Sequence, residues 1–526
     1  MGHMDRRTAI IGGAALALSA TAACSESDGG TESPPPSDLP PSDAPSSTDA
    51  KPRPSRTAAD WSALAEDLDG RLIRPGDADW DTARQLYNTR FDSLKPAAVA
   101  YVSGAADIRT ALAFARASGT AVAIRSGGHS YAGWSSGNGR LILDVSALAS
   151  IRAGGGTASV GAGARLIDVY RALAAKGATI PAGSCPSVGI TGLALGGGHG
   201  VTSRGYGLTC DSLTSVTLVT AEGKELLCSA EENTDLFWAL RGAGNGQFGV
   251  VTDLGFRTHP APQVVTCFMR WPWRRAADVV RAWQAWGPGQ PDEIWSACNL
   301  GVEEGGTPHV EVIAYSLGTY GDLQNAVDRL ADAIGASASS VSLRRRSYEE
   351  AMEISAGCSG FDSDEQCHLP GGTPGRTGSG ELRRETYEAR SDFLARELPP
   401  QGITALLGAV SRVRDLRAGT IALTALGGAV NRVDPTATAF VHRRERVLVQ
   451  YLASWREGAS AAPAKSWLDA TLKSMRPFVS GSAYQNYTDP ALKNWREAYY
   501  GPAAGRLSQL KRRYDPAGVF TFPQAL

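Results

Sequence analysis

Neither sign of charge dominates this chain: 52 Lys and Arg stand against 53 Asp and Glu, a formal net charge of −1. With no basic stripe interleaved with aromatics, a nucleic-acid surface is not expected. Long apolar runs are missing as well. The longest near the N-terminus is about 14 residues, short of the ~18–20 that a spanning helix needs. There is no internal repeat. His129 and Cys185, two residues that attract attention below, have no second ligand at C-x-x-C or H-x-x-x-H spacing, so zinc or another metal is not expected. Protease motifs are absent around both, which argues against a Cys–His nucleophile pair. What remains is an ordinary globular composition, 43% hydrophobic and 20% charged over 526 residues, long enough for several domains.

The first residues follow a separate logic. Met1-Gly2-His3 ahead of Met4 reads as an expression remnant, and Arg6-Arg7 before the short apolar run reads as an export signal of twin-arginine type. "TAAC", ending at Cys24, is similar to a lipoprotein box, although Thr21 stands where Leu is usual. The Pro/Ser/Asp-rich stretch that follows cannot bury a core and is expected to be an extended tether. The expected location is therefore exported: a cell-surface lipoprotein lipidated at Cys24, or a secreted form. Eight cysteines in an exported chain suggest disulfides. Cys358 and Cys367 are close enough to staple a loop, while Cys210, Cys228, Cys267 and Cys298 lie in or beside strand-like runs and can equally be free and buried.

From about Trp61 the pattern is that of a folded protein. "PAAVAYV", "AADIRTALAFARASG" and "TAVAIRS" form a strand–helix–strand unit. "LTSVTLVTAEGKELLCS" reads as a hairpin across Glu222-Gly223. After Pro260 to Pro262 the strands lengthen, as in "VVTCFMRWPW", "HVEVIAYSLGTY", "TIALTALGGAV" and "RVLVQYLASW", and alternate with helices. This predicts an antiparallel sheet with helices on one side.

Two glycine-rich stretches carry the chemistry. "RSGGHS", from Arg125 through Ser126, Gly127, Gly128 and His129 to Ser130, places one imidazole in a turn whose N–H groups suit an anion such as pyrophosphate. Residues 183–200, "GSCPSVGITGLALGGGHG", hold seven glycines around Cys185, which indicates close backbone approach to something flat or anionic. Taken singly, His129 reads as a capped turn residue and Cys185 as half a disulfide. In order and spacing, "RSGGHSYAG", "AGSCPSVGITGLALGGGHG", "GNGQFGVVT", "ALGGAVNRV", "TAFVHR" and the terminal "YQNYTD…YYGPAAGRLSQLKRRYDPAGVFTFPQAL" resemble the berberine bridge enzyme-like family of FAD-linked oxidases, in the vanillyl-alcohol oxidase superfamily.

The resemblance implies an α+β fold: a PCMH-type FAD-binding domain from residues 58–262 with a C-terminal return at 478–526, and a substrate domain over 263–477 whose antiparallel sheet is backed by helices. The export signal and tether occupy 1–57. It further implies FAD joined covalently through His129 at the 8α-methyl and Cys185 at C6, with Arg125, Ser126, Gly127, Gly128, Ser130, Val188, Gly189, Gly192, Val251 and Asn486 around it. Two bonds would fix the ring and raise its reduction potential. Val188 corresponds to the small residue that admits oxygen, and plain core packing is its alternative.

Tyr487 matches the proposed base, with Tyr484, Tyr131 and His199 completing the catalytic group. A phenol's reference pKa is near ~10, so the base role requires a cationic or hydrogen-bonding neighbour. The bland readings are strand-pairing aromatics for the tyrosines and a core hydrogen bond for His199. Three departures stand out. Asn431 and Arg432 replace the carboxylate base that some relatives carry, which argues against carbon–carbon bond formation. Leu193 stands where many relatives have histidine, and His199 where sugar-oxidising relatives often have tyrosine. The expected reaction is oxidation of an alcohol or sugar hemiacetal, with a small molecule or oligosaccharide as substrate and O2 as acceptor, giving peroxide. A tailoring oxidase of secondary metabolites and a redox-inactive surface binding protein are the rivals.

Overall fold

The computed structural model describes residues 60–244 and 246–526. The expected export signal, the whole of the expected tether and Cys24 lie outside the described residues. A four-stranded sheet orders Arg71–Ile73, Ala98–Tyr101, Leu141–Asp144 and Val122–Arg125, the last three mutually parallel. The helix Ala105–Ser118 crosses between them, burying Ile108, Ala111, Leu112 and Ala115 along one stripe and stopping at Gly119, whose φ is +67°. Strand Leu141–Asp144 lies between the two strands of the predicted strand–helix–strand unit, which therefore do not pair with each other.

A five-stranded antiparallel sheet contains the predicted hairpin as Leu213–Val219 and Glu225–Ser229. One apolar core joins both sheets to the C-terminal helices Trp495–Tyr500 and Ala504–Tyr514.

Seven antiparallel strands form the third sheet, in the order Ser340–Arg346, Val264–Trp271, His309–Ser316, Ile294–Glu303, Ala418–Ala425, Val447–Ser454 and Tyr387–Leu394. Alternation assigns its faces. Val265, Cys267, Met269, Val310, Val312 and Ala314 pack into a second core with the helices Ala276–Trp286, Tyr320–Ile334, Pro400–Ser411 and Ala462–Met475. Phe268, Ile313 and Tyr315 point to the other face, toward the first core.

Two findings refine the sequence reading. The strand expected through "TIALTALGGAV" ends at Ala425, because Gly427 and Gly428 take φ of +102° and +55° and a short helix, Ala429–Arg432, follows. Asn431 therefore sits off the strand, its amide donating to the Glu445 carbonyl at 2.9 Å, and Arg432 pairs with Asp292. Neither belongs to the cavity wall described below. Among the cysteines, Cys358 and Cys367 form a disulfide, while Cys210, Cys228, Cys267 and Cys298 are free and buried.

Candidate active site

Strand Val122–Arg125 delivers the first glycine loop at its C-terminal end. The Arg125 guanidinium turns away from the loop, bonded to Asp144 and, at 2.7 Å, to the Ala83 carbonyl. The loop backbone packs directly on the second glycine stretch: a β-carbon on Gly127 would lie 2.2 Å from the Gly189 nitrogen, and one on Gly189 would lie 2.1 Å from Ser126 Oγ. Only glycine permits this approach.

Across that contact His129 Nε2 meets Ser187 Oγ at 2.9 Å, two residues from Cys185. Tyr87 stacks on the imidazole with ring centres 4.0 Å apart. Burial, reinforced by the Arg165 charge, pushes His129 down to about 3, so the ring is neutral at physiological pH. Burial, with the Glu385 carboxylate, pushes the Cys185 thiol up to about 12.

A second group gathers opposite. Tyr487 lies parallel to Tyr131, ring centres 5.1 Å apart, and its hydroxyl meets His199 Nε2 at 2.8 Å. Gln450 donates to the Tyr131 hydroxyl at 2.9 Å. The Tyr484 hydroxyl accepts the Gly198 N–H at 2.8 Å and the Asn486 amide at 2.9 Å. Burial lowers His199 to about 4 and raises the Tyr487 phenol well above its ordinary value. The neighbour of Tyr487 is thus a neutral imidazole, and no cation among the described residues is seen to lower the phenol.

Both groups line one continuous cavity of about 1710 Å³. His129, Cys185, Ser126, Gly127, Gly128, Ser130, Val188, Gly189, Gly192, Val251 and Asn486 are on its wall, as are Tyr131, His199, Tyr484 and Tyr487. Arg125 is not, its side chain lying behind the loop. Leu193 also lines the cavity, and the inner face of the seven-stranded sheet closes the far side through Trp295, Asn299 and Gln450.

Comparison with known proteins converges on one family. Residues 96–229 match the family described as FAD binding domain, and residues 483–526 the family described as berberine and berberine like. An uncharacterised FAD-linked oxidoreductase of Bacillus subtilis is 30% identical over 87% of this chain and 97% of its own length. A chitooligosaccharide oxidase of Gibberella zeae is 31% identical over 86% of this chain and 91% of that one. The solved structure of BBE-like 1 from Physcomitrella patens superposes with a TM-score of 0.79 at 29% identity, covering 88% of this chain and 98% of that one. The chain belongs to the berberine bridge enzyme-like family. It is an FAD-dependent oxidoreductase.

The cavity suits that cofactor on its own evidence. Its volume exceeds the roughly 300–1,000 Å³ usual for one ligand, leaving room for cofactor and substrate together. On its wall, buried Asn486 Oδ1, Gln485 Oε1 and His199 Nδ1 have no partner among the described residues. Buried polar atoms without partners are costly, and a bound group offering hydrogen bonds relieves that cost.

Three wall residues escaped the sequence reading. Tyr87, in "RQLYNTRF", lies outside the quoted motifs, and Ser187 was passed over as part of "CPSVG". Gln450 had a usable signal: it is the one strongly polar side chain in the apolar run "VLVQYLA".

Proposed function

We propose that this enzyme oxidises the CH–OH group of a sugar hemiacetal or alcohol, using FAD held covalently by His129 and Cys185 and returning the electrons to O2 as peroxide. The observation that carries the reading is the convergence, in one cavity, of the Tyr487–His199 hydrogen bond with the His129–Ser187–Cys185 corner. The relationship to a chitooligosaccharide oxidase supports a saccharide as substrate.

Ser126 to Ser130 and Val188 to Gly192 would hold the cofactor, whose flavin, when bound, supplies a two-electron acceptor for a hydride leaving carbon. The protein's own part is proton handling. A substrate hydroxyl beside Tyr487 gives its proton to the phenolic oxygen as the phenolic proton passes to His199 Nε2. Neither residue needs to be charged beforehand, which suits two groups whose burial disfavours charge. The stacked Tyr131, fixed by Gln450, holds the Tyr487 ring in place. Val188, small and on the cavity wall, would leave oxygen a path. We further propose export through the Arg6-Arg7 signal, with Cys24 as the lipidation site in an anchored form.

Two readouts test this. Mixing the holoenzyme with a panel of mono- and oligosaccharides should bleach the flavin anaerobically and yield peroxide in air; a panel on which nothing bleaches removes saccharides as substrates. Acid-precipitated His129→Ala and Cys185→Ala proteins should each stay yellow while the double variant loses its colour. Complete flavin release from either single variant contradicts the double attachment.

A further inference from the structure

The cavity runs on from Tyr131 and Tyr487 along the inner face of the seven-stranded sheet, and its charges are unevenly settled. Strand Val447–Ser454 carries Gln450 at the tyrosine end. In register with Gln450 across the sheet lie Ala422, Asn299, Glu311 and Arg270. Glu311 and Arg270 neutralise each other at 3.0 Å. Ser340, at the start of the edge strand Ser340–Arg346, closes the row five strand spacings or about 24 Å from Gln450, and Arg344 and Arg346 follow further along that strand, opposite Thr266 and Val264.

That edge presents Arg344 and Arg346 to the cavity by alternation, with Arg345 on the opposite face. Neither Arg344 nor Arg346 has a carboxylate within ion-pair distance among the described residues. Arg344 donates to the Leu343 carbonyl at 3.2 Å, and Arg346 Nε donates to Thr266 Oγ1 at 3.3 Å. The Glu350 carboxylate, which feels the Arg346 charge, is engaged in a helix cap, where it accepts the Ser347 N–H at 2.8 Å. In a chain of net charge −1, two guanidiniums on a cavity wall with no ion pair among the described residues are not a by-product of a basic protein. Between them and the tyrosines, Phe268, Tyr315 and Trp295 supply flat apolar surface beside the polar Asn299 and Thr424. Such a surface fits the apolar faces and hydroxyl edges of linked sugar rings.

We propose that the substrate is an oligosaccharide bearing an anionic substituent, a carboxylate or a sulfate ester, several units from the oxidised end, and that Arg344 and Arg346 bind it. This rests on the saccharide reading above. A guanidinium offers a planar fork of donors that matches either oxyanion, often through two hydrogen bonds at once.

Steady-state kinetics of the holoenzyme with neutral, uronate-bearing and sulfated oligosaccharides of equal length provide the test, repeated with the double variant Arg344→Gln/Arg346→Gln. Both side chains sit on an edge strand with exposed or half-buried positions, so folding should be preserved. An anionic substrate should show a KM about tenfold or more below its neutral counterpart, and the advantage should shrink with added salt. Whether uronate or sulfate gains more identifies the group. In the double variant the advantage should vanish while kcat and the neutral KM stay unchanged. Equal KM values for all three substrates, or a variant that raises the neutral KM equally, overturn the proposal. Should none be oxidised, the saccharide reading fails, and calorimetric titration with the same oligosaccharides decides separately. Anion-dependent binding lost in the double variant sustains the site, and no binding overturns it.

Discussion

Tyr487 and His199 share one hydrogen bond of 2.8 Å, and burial keeps both neutral over the physiological range. A phenol pushed upward by burial is a poor base alone, so its usefulness depends on where its own proton can go. Replacing Tyr487 with Phe should slow flavin reduction by ~10²-fold or more without releasing flavin, as loss of a general base does. The pH profile adds a more specific expectation. Because His199 titrates at about 4, the reduction rate should climb as pH rises through that value, where the imidazole becomes able to accept a proton, and then level off. Rapid-mixing measurements on His199→Asn should find a slower reaction whose acid limb near 4 has gone. An acid limb that survives in the variant would assign the titration to another group.

At the scale of elements, the junction between the loop after Val122–Arg125 and the segment before helix Ile190–Leu195 shapes the wall proposed to hold the cofactor. A methyl group on Gly127 meets backbone, 2.2 Å from the Gly189 nitrogen and 2.8 Å from the Ser187 carbonyl oxygen, with no flexible side chain to yield. Gly127→Ala should therefore part the two loops, separate His129 from Ser187 and leave a protein largely without flavin, destabilised by about 1–3 kcal/mol. The ratio of visible to 280 nm absorbance of the purified variant checks this; wild-type flavin content would show that the loops need not touch. The same scale shows why the sequence was legible in part. The hairpin at Glu222-Gly223 and the helix ending at Gly119 announced themselves through local turn chemistry. The true end of strand Ala418–Ala425 did not, because "GGAVN" extends an apolar pattern while its two glycines turn the backbone into a helix. Asn431 and Arg432 consequently carry no information about a carboxylate base, since both lie off the cavity.

For the whole molecule, buried neutral histidines should govern stability in acid. His129, His199 and His442 titrate at about 3, about 4 and about 4 in the folded protein, against ~6.5 for a free histidine. Between pH 4 and 6.5 the unfolded chain therefore binds protons that the folded one refuses, and stability falls as pH falls. Asp392, pushed up to about 7 by burial, and His368, raised by Asp168, act in the opposite direction. Glu349, Glu445 and Asp489, also raised by burial, add to that opposition, but Asp392 is the one carboxyl shifted as far as the three rings, so a net loss of roughly 1 kcal/mol per pH unit remains. Urea unfolding of the holoenzyme from pH 6.5 down to 4.5 should show this slope, and His442→Gln, which removes a ring bonded to the Tyr499 carbonyl, should make it shallower. Constant stability across that range would mean that these rings titrate normally.

Local pattern alone determined the glycine loops, the alternation of the long strands and the ordered motifs around His129, Cys185 and Tyr487, because turn geometry and two-residue periodicity are written within a few neighbouring residues. Only the tertiary structure decided which phenol meets which imidazole, that Gln450 fixes Tyr131 from 319 positions away, and that Tyr87 covers His129. It also decided that Arg344 and Arg346 face the same cavity as Tyr131, Tyr484 and Tyr487. Those relations depend on strand order and on the meeting of two separate cores, and no short stretch of chain encodes either.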